Sequence, residues 1–133
     1  MDIYEWTKHF VGFKIRNKKN IITKFETDKI IIEENKEFTK YFIDEKIENC
    51  LKKWENDSDK DKINKLIYVC LNSQKNIEDV YVKWSKFIEN PNLTVIFVDL
   101  IKDSKWLIKP YIHDKIADKD NLKEGLISMY SNI

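Results

Sequence analysis

Two groups of residues in this chain are of types that can do chemistry. The first is the triplet Asp/Glu-x-Lys, which occurs three times, as Glu34-Asn35-Lys36, Asp44-Glu45-Lys46 and Asp103-Ser104-Lys105. Carboxylates that converge on Mg²⁺, with a lysine close to the attacked phosphate, make a phosphodiester-cleaving site. With 23 acidic and 24 basic residues in 133, about four such triplets arise by chance, so position has to decide between them. The second group is the row Lys105, Lys109, Tyr111, His113 and Lys115. Alternation along an extended segment puts these five on one face and Trp106, Ile108 and Ile112 on the other. Basic and aromatic groups in one row can hold a phosphate backbone and stack a base. Lysines and a proline, here Pro110, are also what protects an edge strand from aggregation.

Other chemistries lack their residues. His9, Cys50, Cys70 and His113 do not have zinc-site spacing. With only Gly12 and Gly125, the chain has no phosphate-cradling loop, which removes the P-loop and dinucleotide fingerprints. No serine stands in a nucleophile elbow.

The elements that must position these residues follow from apolar patterning. Leu66-Ile67-Tyr68-Val69-Cys70-Leu71 is an unbroken apolar run, and Leu93 to Leu100 is nearly another. Strands covered on both faces read this way. A helical stripe of Ile77, Val80, Tyr81, Trp84, Phe87 and Ile88 joins them, from near Asn76 to Asn90, with Asp79 placed to help cap its first turn. A β-α-β unit with parallel strands is the expectation. Upstream, Asp2-Ile3-Tyr4-Glu5 has the form of a capping box for a short helix that Gly12 is placed to stop. Phe13 to Arg16, Ile21 to Glu26, Lys29 to Glu33 and Phe38 to Ile43 then read as an antiparallel meander, although Phe38 to Ile43 also fits a helical period. A helix from about Asp44 to Asn56 follows. Trp106 to Ile112 completes a C-terminal hairpin. Asn121 with Glu124 opens a final helix whose apolar face is Leu122, Leu126, Met129, Tyr130 and Ile133. The expected fold is a single α/β domain spanning residues 1–133, with a mixed sheet flanked by helices.

A helix, a three-strand meander, a helix and a β-α-β step resemble the restriction-endonuclease-like fold of PD-(D/E)xK nucleases. The topological resemblance covers about residues 2 to 100. In that family an aspartate and a strand-borne Asp/Glu-x-Lys hold a divalent metal, and a glutamate of the first helix often assists. Carried over residue by residue, the resemblance implies Asp28 and Asp44 as Mg²⁺ ligands and Asp28, Asp44, Lys46 and Glu5 as the catalytic set. Thr27 stands where the family has proline, and Asp28 falls in a turn.

The charge balance of +1 gives no dominant attraction to nucleic acid or to an anionic membrane. Met1 to Glu5 carries neither the basic nor the apolar region of a signal peptide, and no apolar run has the length of a membrane span. Cys50 and Cys70 are expected as buried thiols of a cytoplasmic protein. Two functional classes remain. One is a nucleic-acid-associated module of nuclease-like fold without robust catalysis. The other is an interaction protein, an assembly subunit or an inhibitor of a partner enzyme, whose abundant aromatics anchor an interface.

Overall fold

The computed structural model describes residues 1–116, 121, 122 and 124–126. Six strands form one sheet in the order β1 (Ile21–Glu26), β2 (Lys29–Glu34), β3 (Glu37–Ile43), β4 (Lys65–Leu71), β5 (Leu93–Asp99), β6 (Ser104–Ile108). The first three are an antiparallel meander, β3, β4 and β5 run parallel, and β6 returns antiparallel along β5. Helix α2 (Ile47–Glu55) crosses from β3 to β4, and α3 (Gln74–Val82) with the single turn α4 (Trp84–Phe87) crosses from β4 to β5. The mixed α/β sheet is thus the architecture expected from the apolar runs, and Phe38 to Ile43 is strand rather than helix.

Alternation within the strands sorts the core into two layers. Phe42, Tyr68, Cys70 and Phe97 pack against α2, α3 and α4 on one face. Ile30, Tyr41, Val69 and Ile96 pack on the other against α1 (Ile3–Ile15). Each fully buried aliphatic or aromatic side chain contributes about 1.5–3 kcal/mol, so the strands covered on both faces dominate the core. Both cysteines are free and buried, and burial pushes the Cys50 thiol up to about 12.

Three local expectations are corrected. Helix α1 does not stop at Gly12, and Phe13 to Arg16 is not a strand; the helix runs to Ile15 and is capped by Arg16. Val11 and Ile15 continue the buried stripe begun by Ile3 and Trp6, and that packing outweighs the roughly 1 kcal/mol a helical glycine costs. Phe13 is left 72% exposed on the outer face. The crossover helix is broken at Lys83, which turns Trp84 and Phe87 into the core while leaving Val82 in solvent. Its cap is Ser73, whose hydroxyl accepts from the Asn76 N–H, whereas Asp79 is a partner of Lys75 at 2.8 Å.

The third correction is at the C-terminal hairpin. Strand β6 ends at Ile108, and Pro110 opens helix α5 (Pro110–Ile116). At the first helical position a missing N–H costs nothing and the fixed φ is already helical. Of the final helix, Asn121, Leu122 and Glu124 to Leu126 are helical, Leu126 is buried and Leu122 packs on the core; Met129, Tyr130 and Ile133 lie outside the described residues. Among the described residues, no helix is long and apolar enough to cross a membrane.

Candidate functional site

The N-terminus of α1, the β1–β2 turn and the C-terminal end of β3 meet at one end of the strands. Asp2 caps α1 by accepting from the Glu5 N–H at 2.8 Å. Asp28 turns the chain from β1 into β2 with φ 61°, a left-handed conformation that aspartate tolerates, and its carbonyl accepts from the Ile43 N–H at 2.9 Å. That bond ties the turn to the end of β3, directly before Asp44. The result is a cleft of about 340 Å³ lined by Asp2, Tyr4, Asp28, Asp44, Lys46 and Asn49 among others.

The structure brings Asp28 and Asp44 together, but on a lysine the triplet motif does not contain. Lys53, from the last turn of α2, places its Nζ 3.3 Å from Asp44 Oδ2, 3.5 Å from Asp28 Oδ2 and 3.0 Å from the Ile43 carbonyl. The other oxygen of Asp44 is also engaged, accepting from the Lys46 N–H at 2.9 Å and from the Asn49 amide at 3.1 Å. Burial raises the Asp44 carboxyl, but these donors and the Lys53 ammonium outweigh it and hold the group below its ordinary value. The Lys46 side chain is exposed, and Glu5 sits on the exposed first turn of α1 without lining the cleft.

Mg²⁺ takes a near-octahedral set of oxygens. The oxygens that face one another here are those of Asp28, Asp44 and Ile43, and one ammonium already sits among all three. Among the described residues no group of three His, Cys, Asp or Glu side chains is placed to hold a metal ion. The cation that these three oxygens hold in this arrangement is the Lys53 ammonium.

The basic-aromatic row is dispersed. Lys105 lies on β6 and Lys109 in the link to α5, while Tyr111, His113 and Lys115 are on α5. Helix α5 packs on α4, where Asp114 accepts from the Trp84 indole N–H at 2.8 Å. His113 is turned back onto the Lys109 backbone, with Nδ1 2.9 Å from its carbonyl. The Lys115 ammonium lies 4.1 Å from the Tyr111 ring centre. The proline that suggested an edge strand is what divides the row.

Lys105 and Lys109 instead join a cluster assembled from distant parts of the chain. Phe10, on α1, stacks on Trp6 with centroids 5.3 Å apart, and Trp6 donates its indole N–H to Asp103 at 2.9 Å. The Lys14 ammonium stands 5.0 Å from the Phe10 centroid and the Lys105 ammonium 5.3 Å from it. Burial lowers the Lys14 pKa, and Lys18, Lys65, Lys105 and Lys109 lower it further by repulsion. Lys18 carries one exposed ion pair, with Glu34 at 3.5 Å. Lys14, Lys18 and Lys65 come from three segments with no shared motif, so no sequence signal joins them to Lys105.

Comparison of the chain with protein-family models, with curated proteins and with solved structures finds no match.

Proposed function

We propose that this chain is a nucleic-acid-binding α/β module, without hydrolytic activity at its carboxylate pair, that holds phosphates on the lysine cluster around Phe10. The observation that carries this reading is the pairing of Lys14 and Lys105 over one aromatic ring, with three more lysines close enough to repel Lys14. Bringing like charges together costs electrostatic energy that an arriving polyanion recovers. The order of helix, meander, helix and β-α-β step supports kinship of architecture with restriction-endonuclease-like proteins. Lys53 supports the absence of metal-dependent cleavage, because it stands among the oxygens such a metal would need.

The test is binding of labelled oligonucleotides over a range of salt, beginning low because the net charge is only +1. If Lys14, Lys18, Lys65, Lys105 and Lys109 each meet a phosphate, the log–log salt slope for a single strand is about 3.5. A fourfold rise in salt then costs about 100-fold in affinity. Replacing Lys14, Lys105 and Lys109 by glutamine lowers the slope by about 2. Mg²⁺ is expected to support no cleavage. Absence of binding at low salt refutes the proposal and leaves the protein-interaction reading.

A further inference from the structure

Phe13 follows Phe10 by one turn of α1 and directly precedes Lys14, yet it packs on nothing in the core and is 72% exposed. It forms one side of an open depression of about 550 Å³ between α1 and β1, lined by Lys8, His9, Gly12, Phe13, Arg16 and Phe25. Phe25, on β1, is 50% exposed. Each ring carries a cation. The Arg16 guanidinium is 5.0 Å from the Phe13 centroid and the Lys8 ammonium 5.8 Å from that of Phe25. At Gly12, next to Phe13, a Cβ would meet nothing within 4 Å apart from the helix's own backbone and its two chain neighbours, so the floor is open. An α-helix with its side chains is about 10 Å across. A chain of a few nucleotides crossing the C-terminal half of α1 therefore reaches from the lysine cluster on its β6 side to this depression on its β1 side.

We infer that the nucleic acid is single-stranded, with phosphates on the lysine cluster and an unpaired base lying over Gly12 against Phe13 and Phe25. The inference rests on the proposed function and narrows its ligand. Aromatic faces accept bases only where those bases are unstacked from their neighbours, a condition a duplex does not meet. The cations over both rings favour an anionic, π-faced ligand over an acyl chain. Gly12 fits this role for a physical reason: it is the one position on this stretch of α1 without a side chain to fill the depression.

The experiment uses a labelled single-stranded dT oligonucleotide, a duplex of equal length and vesicles containing phosphatidylserine. Phe13→Ala is expected to lower single-strand affinity by about five- to 100-fold while leaving duplex affinity and the melting temperature unchanged. Gly12→Leu, which meets no described neighbour at its Cβ and adds a good helix former, is expected to fold normally and to lose single-strand affinity to a similar degree. The Lys14, Lys105 and Lys109 triple glutamine variant weakens single strand and duplex alike. Equal wild-type affinity for single strand and duplex, untouched by Phe13→Ala and Gly12→Leu, overturns the inference and leaves the phosphate-binding reading standing. Binding of vesicles that depends on Phe13 overturns it in favour of a membrane. Failure of the wild type to bind any nucleic acid at low salt overturns both.

Discussion

Replacing Lys53 by methionine keeps the apolar stem of the side chain and removes the ammonium that Asp28, Asp44 and the Ile43 carbonyl share. Asp28 is half exposed, so its pair contributes at the low end of the 0–1 kcal/mol range for surface ion pairs. Asp44 and the carbonyl are better covered, and each contact contributes about 1 kcal/mol at most. The expected loss is about 1–2 kcal/mol, or roughly 5 °C in melting temperature. The loss depends on pH. Asp44 is held below its ordinary value, and a depressed carboxyl contributes stability that is present above its unfolded pKa and lost as pH falls through its folded pKa. In the variant Asp44 keeps its burial and loses Lys53, so its carboxyl titrates at higher pH. The stability difference is therefore largest near neutrality and shrinks in acid. With the ammonium gone, two carboxylates and a carbonyl face a gap that suits a hard cation weakly, with Kd near millimolar. Calcium at ten times that Kd restores about 1.4 kcal/mol by linkage. Chemical denaturation with and without Ca²⁺ and Mg²⁺, at neutral and acid pH, measures all three effects. Stabilisation of the wild type by Mg²⁺ to the same degree as the variant refutes the reasoning. It would return Asp28 and Asp44 to candidacy as metal ligands.

Two further predictions concern buried polar groups that hold the site's elements in place. Asn76 is 2% exposed, donates to the Glu45 and Leu71 carbonyls at 2.7 Å each and accepts from the Ile47 N–H at 3.0 Å. Asn76→Ala leaves these three groups without that partner and is expected to cost about 3 kcal/mol; a loss under about 1 kcal/mol in urea denaturation means the network is not structural. Lys40 pairs with Asp57, and both side chains are more than nine-tenths buried. Lys40→Met strands the carboxylate and is expected to cost about 3–5 kcal/mol, while Lys40→Met with Asp57→Leu recovers most of it. Equal stability of the single and double variants argues that water reaches Asp57.

The apolar runs Leu66 to Leu71 and Leu93 to Asp99 were legible because a strand covered on both faces needs an apolar side chain at nearly every position. From those two runs and the stripe between them the parallel centre of the sheet follows. The meander from Ile21 to Ile43 was legible for a related reason, its polar turns being too short for anything but hairpins. Local pattern was ambiguous where tertiary packing had the larger energy. Gly12 reads as a stop until Val11 and Ile15 are seen against the sheet, and Pro110 reads as an edge-strand residue although it serves equally well at the first position of a helix. The sites were the least legible. Asp28 and Asp44 were visible as carboxylates at two strand ends, but Lys53 joins them only because α2 lies back along β3. Lys14 and the four lysines around it lie on α1, the turn after it, β4, β6 and the link that follows. Charge carries no periodicity that survives between separate segments. Only the docking of α1 across the sheet, driven by Ile3, Trp6 and Val11, brings them to one surface.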